Sequence, residues 1–246
     1  MSDGWCDEKT EEIMIPKKIH YCWFGRNPLP KKAQKCIASW KKYCPDYEIV
    51  EWNEDNFDVF QNPYTTRTYQ EKKYAFLSDY ARLMILEREG GIYFDVDVQV
   101  VRPIDALLEH AAFFGFETKE YVNTGVGFGA EAGHAAVQAL LKEYEPLLDG
   151  ENGVVGCPRL NTQALEKLGL VRNGKKQMVA GAVIYPPEYF NPYDDPTGRL
   201  NKTRETYSIH WFAKSWMSKG AIVRSQFTQP LHRILGKDCF KWLKGK

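Results

Sequence analysis

Asp95 and Asp97 have the clearest capacity for chemistry in this chain. They stand two apart in IYFDVDVQVV, an apolar run that reads as a strand, and that spacing turns both carboxylates to one face. Two carboxylates side by side in apolar surroundings repel each other and lose hydration, so a cation or a proton must neutralise them. Mg²⁺ or Mn²⁺ meets that need, because it accepts a few carboxylates and keeps positions for phosphate oxygens. The simpler alternative leaves one Asp facing solvent in a turn and pairs the other with an arginine such as Arg102. A second charged pair, Asp79 and Arg82, lies one helical turn apart just upstream. It either grips hydroxyls in the same cleft or forms an ordinary ion pair.

These residues need elements to hold them. The run from Ile19 to Phe24, ended by Gly25, suits a buried strand. Ala33, Ile37, Trp40 and Tyr43 (or Cys44) then recur at helical spacing between Pro30 and Pro45. YEIVEW alternates as a second strand. Residues 70–88 predict a helix with Tyr74, Leu77, Ala81, Met84 and Arg88 on one stripe and Gly90–Gly91 as its stop. Further strands are expected at Phe113–Phe116, Val122–Phe128, Val179–Tyr185 and Tyr207–Trp211, with helices at 134–148 and 161–168. The order is α/β with a mixed sheet in one domain over 1–246, whose first 14 residues form a mobile tail.

Composition narrows the function classes. A net charge of +1 supplies no field that would attract nucleic acid. Aromatics at 14% suit a cleft for flat rings and sugars, or a well-filled core. Cys6, Cys22, Cys36, Cys44, Cys157 and Cys239 form no CxxC pair and read as reduced thiols. The acidic start MSDGWCDEKTEE is unlike a signal peptide, and no run reaches the length of a membrane span, so the expected location is cytoplasmic. Leu231, Ile234, Leu235, Phe240 and Leu243 beside Arg233, Lys237, Lys241, Lys244 and Lys246 predict a basic amphipathic helix over 229–246. It either packs on the domain or rests on an anionic membrane at the inner face, where a lipid-linked acceptor would be found.

The stretches IPKKIHYCWFG, SWKKYCPDYEIVEWN and KKYAFLSDYARLMILEREGGIYFDVDV together resemble glycosyltransferase family 32. These are sugar transferases of bacterial capsule loci, related to fungal Golgi mannosyltransferases and to clostridial glucosylating toxins. The resemblance spans about residues 15–216. It implies a GT-A type nucleotide-sugar-binding fold, with a mixed, mainly parallel central sheet flanked by helices. It also implies a UDP- or GDP-hexose donor, Mn²⁺ or Mg²⁺, a saccharide acceptor and retention of anomeric configuration.

On that resemblance Trp23 stacks on the donor base, and Asp79 and Arg82 hold the transferred sugar. Asp95 touches ribose, sugar or metal, and Asp97 is a direct metal ligand. In YSIHWFAKSW, His210, Lys214, Ser215 and Trp216 would complete the metal site and bind the diphosphate. The third protein ligand stays open between His210 and Ser215, because the acidic residue of the toxin-like pattern is replaced here. Asn123 in VNTGVGFGA is expected on the sugar side, with Asn161 and Thr162 near the cleft, while His20 is assigned to the core. Two rival readings are a non-catalytic nucleotide-sugar module and an aspartate-based phosphatase. The latter is disfavoured because its nucleophile strand usually opens the chain and the later pair Asp194–Asp195 sits in a Pro-rich turn.

Overall fold

The computed structural model describes residues 15–213, 228–230 and 232–236. In chain order the elements are β1 (Lys18–Cys22), α1 (Lys31–Tyr43), β2 (Glu48–Trp52), α2 (Pro63–Gln70) and α3 (Tyr74–Glu89). There follow β3 (Gly91–Tyr93), β4 (Val98–Val100), β5 (Ala112–Gly115), β6 (Phe128–Ala130), α4 (Ala135–Lys142) and α5 (Cys157–Lys167). The last are β7 (Gln177–Val179), β8 (Ala182–Tyr185), α6 (Pro187–Phe190), β9 (Tyr193–Asp194), β10 (Arg199–Leu200) and β11 (Ser208–His210).

Seven strands form the central sheet in the order β2-β1-β3-β6-β5-β8-β7. Strands β2, β1, β3, β5 and β8 share one direction, and β6 and β7 oppose them. The mixed, helix-flanked α/β sheet expected from the sequence is present. Its apolar residues fall into two buried clusters: one joins Leu77, Leu83 and Leu86 of α3 to Phe114, Phe128 and Ile184. The other joins Ile37 and Trp40 of α1 to Phe94, Phe113 and Phe190. The sheet-end order matters most for function. Trp23 follows β1, Asp95 follows β3, and Glu117 follows β5, all at the carboxyl ends where ligands bind in open α/β sheets.

Several boundaries differ from the expectations. The helix expected over 70–88 starts at Tyr74, because α2 ends at Gln70 and Lys72 takes a left-handed φ of 57° between the two. Its stop is as expected: Gly90 and Gly91 have φ of 64° and 100°. A side chain at 91 would stand 2.9 Å from the His20 imidazole, so only glycine lets β3 close on β1 there. The strand expected at Val122–Phe128 shrinks to β6, with Phe116–Val122 as an isolated bridge and a loop from Asn123 to Gly127. The run Val179–Tyr185 contains a hairpin turn, with Ala180 and Gly181 at positive φ.

The largest correction concerns the acidic pair. IYFDVDVQVV is not one strand: Asp95 through Asp97 form a turn between β3 and β4, closed by the Val98 N–H donating to Asp95 O at 2.9 Å. β3 belongs to the central sheet, whereas β4 pairs antiparallel with β11 in a two-stranded ribbon. Alternating apolar residues continue through the junction because both strands are buried, which hides the break from periodicity. Residues 1–14 and 237–246 lie outside the described residues, as does Leu231.

Candidate functional site

Because β4 and β11 are paired, the end of β11 arrives beside the acidic turn. His210 lies opposite Val98 in the register, and its Nε2 stands 3.3 Å from Asp97 Oδ1. The Trp211 N–H donates to Asp97 O at 3.1 Å, and the Ala213 N–H donates to Asp97 Oδ2 at 2.6 Å. Ligand-capable atoms of Asp95, Asp97 and His210 all lie within 4.8 Å of one another. The two aspartates come from one turn and the imidazole from a segment more than a hundred residues later, so this trio exists only through the fold.

Asp95 faces the other way into α3. Its Oδ1 accepts from Arg82 Nη2 at 2.9 Å and from the Tyr93 hydroxyl at 3.2 Å. Arg82 also reaches Asp79 Oδ1 at 3.0 Å with the same Nη2, and its Nε donates to Ser78 O at 3.1 Å. The guanidinium lies over the Tyr93 ring at 4.7 Å. The simpler alternative for the acidic pair named the wrong arginine: Arg102 donates instead to Arg204 O, at 2.7 Å. Arg82 Nη1 is buried without a partner, and so is His210 Nδ1. Two strong donors left with unused hydrogen-bonding capacity point to a ligand rather than to a finished core.

The Asn123–Gly127 loop forms the next wall. The Gly125 N–H donates to Asn123 Oδ1 at 2.6 Å, and the Cys157 thiol lies 3.3 Å from the same oxygen. The Asp95 N–H donates to Gly125 O at 3.2 Å. A Cβ at 125 would sit 2.2 Å from Asp95 Oδ2 and 2.9 Å from Arg82 Nη1. Asn161 and Thr162 hold this loop rather than line the cleft: Asn161 Nδ2 donates to Thr124 Oγ1 at 3.1 Å, and Thr162 Oγ1 accepts from the Val122 N–H at 3.0 Å. Trp23 is half-buried just past β1, with its indole N–H donating to Asn27 O at 2.6 Å. Lys214, Ser215 and Trp216 lie outside the described residues. Cys157, Tyr93, Gly125 and Glu117 are site neighbours that sequence reasoning missed. Tyr93 carried a signal, being two residues before Asp95; the others carried none.

Electrostatics set the tone of the site. Burial pushes the Asp95 carboxyl up to about 6, with Asp97 adding to that effect and Arg82 opposing it. For Asp97 burial acts the same way, but the charge and hydrogen bond of His210 and the Ala213 N–H outweigh it and hold the carboxyl low. Burial raises Asp79 too, against Arg82 and the Cys157 thiol and N–H. Four carboxylates (Asp79, Asp95, Asp97 and Glu117) face two cations, Arg82 and His210. A divalent cation held by Asp95, Asp97 and His210 would displace the His210 proton and still reduce that excess of negative charge, so the residues present fit Mn²⁺ or Mg²⁺.

Residues 30–114 match the family model for the glycosyltransferase sugar-binding region containing the DXD motif. The chain resembles the DXD glycosyltransferases. Asp95 and Asp97 are the DXD pair inside that segment, while His210 lies beyond it. Among curated relatives, inositol phosphoceramide mannosyltransferase 3 of Schizosaccharomyces pombe is 32% identical over 51% of this chain and 36% of its own length. Subversion of eukaryotic traffic protein A of Legionella pneumophila is 30% identical over 46% of this chain and 22% of its own length. The match thus spans about a third of the first relative's length and about a fifth of the second's. A solved glycosyltransferase involved in glycosylating the major capsid of PBCV-1 is similar at 13% identity, over 86% of this chain and 98% of that one, with a TM-score of 0.49.

Proposed function

We propose that this chain is a metal-dependent glycosyltransferase that moves a hexose from a UDP- or GDP-sugar to a saccharide acceptor, free or lipid-linked, with retention of configuration. The observation that carries this reading is the meeting of Asp95, Asp97 and His210 inside 4.8 Å, at the carboxyl end of β3. Mn²⁺ or Mg²⁺ held there would stabilise negative charge on a departing diphosphate.

The chain's own groups do the rest. Arg82 has one amino group committed to Asp79 and Asp95 and the other buried and unpaired, so Nη1 is the donor offered to the sugar or the departing oxygen. Asp79 is kept in place by Arg82, ready to accept from a sugar hydroxyl. Trp23, one strand over, offers a ring to the donor base. Lys214 and Trp216 follow Ala213, whose N–H already binds Asp97, and they would add donors to the diphosphate. Ser215 remains a second choice of metal ligand. An aspartyl-phosphate route is disfavoured, because Asp95 is tied to Arg82 and Tyr93 and Asp97 to His210 and Ala213.

Cys22, Cys36, Cys44 and Cys157 are free and buried, which supports placement in a reducing, cytoplasmic compartment. Among the described residues no helix is long and apolar enough to cross a membrane. Residues 228–230 and 232–235 are helical, Ile234 and Leu235 are exposed, and Arg233 donates to Thr197 O and Gly198 O. Flotation with anionic liposomes, with and without residues 229–246, tests a peripheral membrane contact there. For the activity itself, a melting-temperature screen of UDP- and GDP-sugars with and without Mn²⁺ is decisive. A donor-dependent rise that requires the metal is expected, and no rise with any donor would sink the reading.

A further inference from the structure

Glu117 is a carboxylate of this site to which neither the DXD match nor the resemblance gives a role. It leaves β5 at the carboxyl end of the sheet, two strands beyond Asp95. The loop from 116 to 123 is a tight hairpin. Phe116 bridges Val122, the Glu117 N–H donates to Tyr121 O at 2.8 Å, and the Asn123 N–H donates to Gly115 O at 3.2 Å. Alternation along such a ladder turns the side chains of Glu117 and Asn123 to one face. The Glu117 side chain lies beside the Asn123 amide, whose oxygen is already bound by the Gly125 N–H and the Cys157 thiol. Its backbone is pinned as well, since Asn191 Nδ2 donates to Glu117 O at 2.9 Å. Among the described residues no arginine or lysine forms an ion pair with it, although it is half-buried and close enough to His210, Asp79 and Asp195 to feel their charge.

A half-buried carboxylate with only a neutral amide beside it has acceptor capacity left over for a further donor. A phosphate cannot supply the donor, because like charges repel; a polyhydroxylated, neutral ring can. Position gives the same answer. Along the strand ends the order is Trp23 after β1, the metal-ligand set after β3, the Asn123 loop before β6, and Glu117 after β5. A donor laid along that row with its base at Trp23 and its diphosphate at Asp95 and Asp97 brings its hexose to Asn123 and Glu117.

We propose that Glu117, oriented by Asn123, binds hydroxyls of the transferred hexose and so helps set donor-sugar specificity; this rests on the donor-binding reading above. The test compares Kd values with Mn²⁺ present for UDP and GDP against UDP-glucose, UDP-galactose, UDP-N-acetylglucosamine and GDP-mannose. With Glu117→Gln, the nucleotide-sugar preferred by the wild type should bind about ten-fold or more weakly, the loss expected for a hydrogen bond to a charged group. Binding of the bare diphosphate should be unchanged, which also reports that the variant is folded. Glu117→Asp, which keeps the charge, should recover part of the sugar-dependent affinity. Equal loss of UDP or GDP affinity would make the role structural and overturn the proposal, as would an unchanged preference for the sugar-bearing ligand. A wild type that binds no nucleotide at all would overturn the donor-site reading itself, and this inference with it.

Discussion

His20 and His210 are both buried imidazoles on strands, His20 in the middle of β1 and His210 at the end of β11, yet the protein treats them in opposite ways. His20 sits in β1, where Trp52 Nε1 donates to its Nδ1 at 3.0 Å and its Nε2 donates to Gly90 O at 3.0 Å. Burial lowers its pKa to about 4, against the weaker pull of the Gly90 carbonyl. A second proton would set the Nδ1 hydrogen against the Trp52 N–H, so the neutral tautomer is locked. At His210 burial also opposes charge, but Asp97, Asp95 and Glu117 together overcome it and raise the pKa to about 9. Burial removes water in both places; what differs is the charge left in its absence. A finished core position uses up both ring nitrogens, whereas His210 keeps Nδ1 without a partner beside an excess of carboxylates.

Asp97 is the residue on which the charge at His210 depends most. Asp97→Asn should lower donor turnover by roughly 100-fold or more and abolish the Mn²⁺-dependent rise in melting temperature, read in the same assay. Near-normal turnover at saturating Mn²⁺ would show that the His210 side of the contrast is structural only. Next comes acid. Because the His20 pKa falls from 6.5 unfolded to about 4 folded, the unfolded chain binds more protons between those values. Stability contributed by neutral His20 is complete above about pH 6.5 and is lost as pH falls toward 4, roughly 3 kcal/mol in all. Urea midpoints measured across that window should decline in the wild type and decline less in His20→Gln.

His210→Asn should weaken Mn²⁺ binding by about ten-fold or more in titration calorimetry, with little change in urea midpoint. A large stability loss with intact cation binding would make it a second His20. Trp52→Phe keeps most of the ring packing but removes the donor to His20, costing about 1 kcal/mol. Its cation and nucleotide affinities should match the wild type, since His20 faces Gly90 and Trp52 rather than the site.

Legibility followed sequence distance. Asp79 and Arg82 could be paired from helical spacing, and the structure pairs them at 3.0 Å. His20 could be assigned to the core from the apolar run around it. Glu117 and Cys157 could not be found, because each reaches the site through a strand end or helix start whose direction depends on distant partners. The break between β3 and β4 was hidden for a related reason: periodicity reports burial, and both strands are buried although they belong to different sheets.

Local physics acting on neighbouring residues determined the acidic turn's charge, the glycine stop before it, and the α/β alternation that builds the sheet. These follow from spacing, conformational preference and the cost of burying like charges, all readable within one turn or one strand. Tertiary structure alone decided that β11 would pair with β4, that His210 would face Asp97, and that Arg82 rather than Arg102 would hold Asp95. The reason is that strand pairing and desolvation are set by whichever distant segment covers a residue, and no local pattern encodes that partner.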